Sequence, residues 1–210
     1  MSQEPEGQPD IRVRRTRGHL RSALLGLAGE QGYQKVTVGD IADRAMINRA
    51  TFYRYYEDKD DLAADILVHA ARSTGDLSPI TDGTLDMDAR IASGALLFDH
   101  IAQHDRLYRP LLAYPRSRRF LIRARSLLGG LVQERIDAVP RPDGRRMPEE
   151  MVVTFAAELF LGMAAWWLEN GTTHSSRQMS TWFTQFLFFG YFNALGIEDL
   201  LPRLPPRAEQ

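Results

Sequence analysis

Between Thr37 and Lys59 the sequence TVGDIADRAMINRATFYRYYEDK leaves room for little besides two short helices meeting at a tight turn, because helix-starting residues stand at two closely spaced places. The Thr37 hydroxyl can accept from the amide of Asp40, a Thr-x-x-acid start close to a capping box. Ile41 and Ala45 then share one face of the first helix, and the chain breaks at Met46-Ile47. Asn48 offers a second capping side chain before Arg-Ala-Thr-Phe-Tyr-Arg-Tyr-Tyr, so the second helix is predicted to begin at Arg49.

On a helical wheel of about 100° per residue, Phe52 and Tyr56 lie about 40° apart and turn inward with Ile41 and Ile47. Ala50 and Arg54 then occupy the opposite face, flanked by Tyr53 and Thr51. That face suits a DNA major groove: a small residue permits close approach, an arginine can bond guanine O6 and N7 bidentately, and tyrosine hydroxyls reach phosphates. Arg49, in the first turn, can point past the helix end toward bases or backbone. The expected DNA contacts are Thr37, Asn48, Arg49, Ala50, Thr51, Tyr53, Arg54, Tyr55 and Lys59, with Arg54 reading bases and Thr37, Tyr53, Tyr55 and Lys59 acting through phosphate. Lys59 stands at a helix N-terminus, where the dipole disfavours a cation, and a phosphate opposite would account for it.

With these residues in view, the stretch resembles the N-terminal domain of TetR-type transcriptional regulators. The resemblance covers Thr16 to about Leu67, in the order RGHLRSALLGLAGEQGY, VTVGDIADRA and INRATFYRYYEDKDDL. It implies the same phosphate role for Lys59, an all-α fold, and repression relieved by a small molecule. It also implies that the last two helices pair with their mates across a two-fold axis in a four-helix bundle. One departure stands out: the family usually has glycine where this chain has Met46, a position needing left-handed backbone that methionine adopts only at a cost. The turn and the tilt of the second helix are therefore expected to differ.

Charge distribution agrees with the DNA reading although the net charge is only −1. Ten basic and five acidic residues lie between Arg12 and Lys59, a local balance of +5. No cysteine is present, which excludes disulfides, thiolate zinc sites and cysteine nucleophiles. The polar, acidic start MSQEPEGQPD is not a secretory leader, so a cytoplasmic location is expected.

Along the chain, residues 1–11 read as a disordered tail, 12–60 as the helix-turn-helix domain, 61–201 as a helical ligand-binding and dimerisation domain, and 202–210 as a flexible tail. For Arg12-Val-Arg-Arg two readings stand, a solvated arm or a segment touching phosphate or the minor groove. A supporting helix runs from Thr16 to Gln31, with Leu20, Leu24, Leu27 and Ala28 inward and Gly32 as its stop. Asp58 caps a fourth helix whose first turn holds Asp60 and Asp61 and whose Leu62, Ile66 and His69 face inward. After a loop over residues 74–84, helices are predicted at Met87–His104, Asp105–Leu112, Arg116–Val139, Pro148–Asn170 and Ser175–Leu195, about nine in all, with no convincing strand.

The last two helices are apolar nearly all round. A membrane span is the alternative to burial on two sides, but Glu158 lies in mid-helix and the final segment is shorter, so no membrane partner is expected. Phe160, Trp167, Phe188 and Phe192 are expected to meet a second copy. Phe98, His104, Phe155, Glu158, Met163 and Trp166 are expected to line a small-molecule pocket, an assembly that a plain core also provides. Glu158 can bond a ligand or an arginine of a neighbouring helix. Arg116, Arg118, Arg119, Arg123 and Arg125 can form an acidic-ligand or second phosphate site, or a solvated face. His100 and His104 have metal-pair spacing without a third ligand, so no metal and no cofactor is expected. No Ser-His-Asp order, phosphate loop or metal cluster supports catalysis. The predicted function is a homodimeric, sequence-specific DNA-binding repressor released from a palindromic operator by a small molecule, the alternatives being a constitutive or architectural DNA binder without an inducer and a helical enzyme with a vestigial DNA-binding domain.

Overall fold

Side chains of Thr37, Asn48, Asp58 and Ser117 cap helix starts in the structure. A computed structural model describes the backbone of residues 8–74, 87–138 and 147–195, and the side chains of 11–74, 87–138 and 147–187. The described residues form nine α-helices and one 3-10 turn: α1 Gln8–Gln31, the 3-10 turn Tyr33–Lys35, α2 Val38–Arg44, α3 Arg49–Tyr53, α4 Lys59–Ser73, α5 Met87–Gln103, α6 Asp105–Leu112, α7 Arg118–Asp137, α8 Glu149–Glu169 and α9 Ser176–Leu195. The loop expected over 74–84 falls mainly outside the described residues, as do 139–146, residues 1–7 and the expected C-terminal tail.

The helix α1 starts at Gln8, eight residues before the expected Thr16, so residues 8–11 of the expected tail are helical. Arg12, Arg14, Arg15 and Arg17 are good helix formers, and Thr16 returns its hydroxyl to the Arg12 carbonyl at 2.9 Å. Polarity without apolar spacing had suggested disorder, whereas propensity extended a helix already anchored by Leu20, Leu24, Leu27 and Ala28, all buried. Gly32 ends α1 with φ 83°, a left-handed value that glycine takes without penalty.

Two cores become one through α4. In the first, α1 packs on α2 and α3 through Ile41, Phe52 and Tyr56; in the second, Phe98, Ile101, Leu111, Phe120, Phe160 and Trp167 pack among α5 to α8. The helix α4 is buried on two sides, with Leu62, Ala63, Ile66, Leu67 and Ala71 all in the same cluster. His69, expected inward, is exposed on this helix. Near Gly94 the backbone of α5 approaches α9 closely, and the fully buried Ser180 donates to the Ile91 carbonyl at 2.8 Å. By length and composition α8 could cross a membrane, yet 50% of its most apolar window is buried inside the protein. That burial against α6, α7 and α9 accounts for its composition.

Candidate nucleic-acid interface

The expected capping box is present in full: the Asp40 amide donates to the Thr37 hydroxyl at 3.2 Å, and the Thr37 amide donates to the Asp40 carboxylate at 2.8 Å. Hydrogen bonds from the Thr37 side chain and backbone hold the Asp40 carboxyl below its ordinary pKa, so the box stays intact through neutral pH. At the end of α2, Met46 adopts φ 55° and is 87% exposed. The Ile47 amide reaches the Ala42 carbonyl at 3.0 Å and the Met46 amide reaches Asp43 at 3.1 Å, the two bonds of a Schellman stop. Methionine therefore takes the left-handed conformation in place of the usual glycine.

Asn48 caps α3, its side chain accepting from the Thr51 amide at 2.7 Å. Phe52 and Tyr56 are buried as predicted, with the Tyr56 amide still bonded to the Phe52 carbonyl at 3.1 Å, so the helical turn carries past Arg54. Asn48, Arg49, Ala50, Tyr53 and Arg54 are exposed, while Thr51 and Tyr55 are half-buried. Arg49 lies over the glycine of α2: a Cβ on Gly39 would come within 3.0 Å of the guanidinium carbon. Its charge helps hold Asp40 ionised.

Beneath this surface, Asp65 of α4 draws together the middle of α1 and the turn that follows α3. Arg17 donates to it at 3.2 Å and Arg21 at 2.6 Å from α1, and the Tyr56 hydroxyl donates at 2.7 Å. Burial works against the carboxylate, but the bonds from Arg21 and Tyr56 and the two positive charges outweigh it and leave its pKa low. Arg17 meets Tyr56 across 39 positions and Asp65 across 48, and no local sequence signal links them.

Lys59 has a different environment from the one expected. Its ammonium donates to the carbonyls of Tyr33 at 3.0 Å, Gln34 at 3.4 Å and Val36 at 2.7 Å, and lies 4.4 Å from the centre of the Tyr33 ring. What stands opposite the cation is thus the carbonyl end of the 3-10 turn, whose partial negative charge offsets the unfavourable start of α4. Burial lowers the lysine's pKa, against the raising effect of Asp60 and Asp58.

The sides assigned to α8 are exchanged. Phe160 and Trp167, expected to meet a second copy, are buried in their own subunit, with ring centres 5.6 Å from Phe98 in both cases. Phe155 and Trp166, expected in a pocket, are 55% and 45% exposed, in one stripe with Met151 and Gly162. An all-round apolar helix gives no periodic signal that says which stripe faces inward. The side chains of Phe188 and Phe192 lie outside the described residues. Of the other expected pocket residues, Phe98 is fully buried, Met163 packs against the core, and His104 stands at the α6 N-cap. Glu158 is ion-paired to Arg125 of α7. Arg116 pairs with Glu169 at 3.6 Å, Arg119 with Asp58 at 2.9 Å and Arg123 with Asp61 at 2.6 Å. A groove of about 370 Å³ opens between α7 and α8, lined by Arg125, Ser126, Gly129, Gly130, Gln133, Val153 and Thr154; of these only Arg125 was singled out in the sequence, as one of the arginines of an acidic-ligand site or a solvated face.

Residues 20–66 match the model of the bacterial regulatory proteins of the tetR family, the same span in which caps, buried aromatics and exposed arginine come together. That span is similar to the N-terminal domain of this family. It is 35% identical over 94 residues to the HTH-type transcriptional regulator YxbF of Bacillus subtilis (strain 168), a match covering 44% of this chain and 25% of that protein. The chain thus spans about a quarter of the length of this curated relative. Among solved structures it is similar to the TetR-family repressor FadR of Thermus thermophilus, crystallised with lauroyl-CoA, at TM-score 0.56 and 21% identity, covering 92% of this chain and 100% of that one. A TetR-family regulator from Streptomyces coelicolor gives TM-score 0.53 at 20% identity, covering 91% and 93%. At such identities these likenesses establish the fold.

Proposed function

We propose that the protein is a non-enzymatic, cytoplasmic transcriptional regulator that reads duplex DNA through α3. The observation that carries this is the exposed face of Ala50, Tyr53 and Arg54 held over buried Phe52 and Tyr56 by side-chain caps at both Thr37 and Asn48. A rigid, capped pair with a small residue and an arginine outward presents base-reading and phosphate-reading groups in fixed register. Thr37, Asn48, Arg49, Thr51 and Tyr55 frame this face, and Lys59 supports it from behind.

Two copies reading a palindrome through the exposed α8 stripe of Met151, Phe155 and Trp166, with α9 beside it, is the assembly this surface favours, because side chains of that size gain from a covered face. Release by a small molecule completes the proposal, as the likeness of residues 20–66 to tetR-family regulators and the large helical body suggest. Selection of duplexes from a random-sequence pool by the purified protein tests it. Enrichment of a two-fold symmetric site is expected, and enrichment of nothing would overturn the proposal.

A further inference from the structure

Resting on this DNA-reading proposal, we infer that Asp60 is a positioning residue that ties the start of α2 to the start of α7 through one carboxylate. Its Oδ1 accepts from the Tyr33 hydroxyl and its Oδ2 from the Ser117 hydroxyl. Tyr33 belongs to the 3-10 turn that runs through Val36 into the Thr37 cap, and Lys59 clips that turn by its carbonyls. Ser117 is the N-cap of α7, where its oxygen accepts from the Phe120 amide at 3.3 Å. One serine thus starts a helix of the large body and holds a residue of the DNA-facing domain 57 positions away in sequence.

The ion pairs on either side, Asp58 with Arg119 and Asp61 with Arg123, bring every carboxylate of α4's first turn against α7. Arg119 is 81% exposed, so solvent and salt screen its pair. Tyr33 is buried, and a buried hydroxyl bonded to a carboxylate keeps its partner more tightly than an exposed ion pair does. A shift of the α7 N-terminus that withdraws Ser117 leaves Asp60 held from one side only. The 3-10 turn and the α2 start then lose this tie to α7 and are held to the body by the contacts of α6 with the turn and with the end of α1, so the position of the DNA-facing pair loosens.

Amide hydrogen exchange on the full chain, without DNA, tests the tie directly. Tyr33→Phe and Ser117→Ala are each expected to speed exchange of amides in residues 37–56 by about tenfold. Ser117→Asp, which retains a cap for the Phe120 amide but sets a second carboxylate against Asp60, is expected to do the same with α7 still protected. Ser117→Thr should restore the wild-type pattern, and the Tyr33→Phe/Ser117→Ala pair should be less than additive because both hydroxyls serve one carboxylate. Unchanged exchange over 37–56 in both Ser117→Ala and Ser117→Asp would overturn the inference. The second measurement is affinity for a duplex selected by the wild-type protein: Ser117→Asp is expected to weaken it about fivefold, with binding to random duplex unchanged. Faster exchange with full affinity would mean that Asp60 fastens the domain without positioning it for DNA. If the wild-type protein selects no duplex, the DNA reading falls, and the exchange result still decides the tie.

Discussion

At Met46 a side chain occupies backbone space that glycine fills without strain, with φ 55° and nearly full exposure. Nothing in the side chain's surroundings offsets the left-handed conformation, so Met46→Gly is expected to stabilise the protein by about 0.5–1 kcal/mol, measured by denaturant unfolding. A loss of stability would mean that the methionine contributes contacts the turn needs. Arg54 poses the opposite question, since the proposed function places its worth outside the protein. Arg54→Ala should cost about 1–3 kcal/mol of specific binding and relax preference at one position of the selected site. Equal weakening across a panel of point-mutated duplexes would assign Arg54 to phosphate. His100 acts on stability through pH: burial, then His104 and His69, push its pKa from 6.5 down to about 4. A base more easily protonated when unfolded contributes stability above pH 6.5 that is lost as pH falls toward about 4. The melting-temperature difference between wild type and His100→Gln should therefore shrink across that window, and a constant difference would rule this histidine out.

Among elements, the 3-10 turn and α4 depend on each other through Lys59. Its three acceptors lie 23 to 26 residues upstream, so the clip joins the turn to α4 beside the Tyr33–Asp60 hydrogen bond. Lys59→Met keeps the aliphatic stem but strands these carbonyls and should lower unfolding stability by about 1–2 kcal/mol. DNA binding of the same variant should retain its salt dependence; a slope smaller by about 0.9 would return Lys59 to the phosphates. The α1 helix shows how legible such elements were in sequence. Its apolar spacing predicted the inward face, while its start was missed because the Arg-rich turns before Thr16 are fixed by propensity and continuity with an anchored helix.

For the molecule as a whole, the proposed assembly turns on the outward stripe of α8. Phe155→Glu places a charge on an exposed position, so the subunit should fold normally; if that face meets a second copy, the buried charge should dissociate the dimer and abolish binding to a two-half-site duplex. Sedimentation with circular dichroism as the fold check measures this. A folded Phe155→Glu protein that remains dimeric would move the interface away from this stripe. Phe160→Glu provides the contrast, since a carboxylate among Phe98, Phe183 and the α8 core should unfold the subunit.

The DNA-facing pair was legible because its causes are local: Thr37 with Asp40, Asn48 with Thr51, and Phe52 with Tyr56 all lie within a single turn or two, where spacing alone dictates who can bond whom. The same locality predicted the Asp58 cap and the stop at Gly32. Tertiary structure alone decided which stripe of α8 faces inward, because both stripes are apolar and only the neighbours α5, α6, α7 and α9 distinguish them. It also decided the fate of the charges. Lys59 could meet a phosphate or a carbonyl, Asp65 could be solvated or hold two arginines, and Asp60 could serve the helix dipole alone or join Tyr33 to Ser117. Each outcome depends on groups tens of residues away, and residue spacing holds no information about a contact until the chain has folded back on itself.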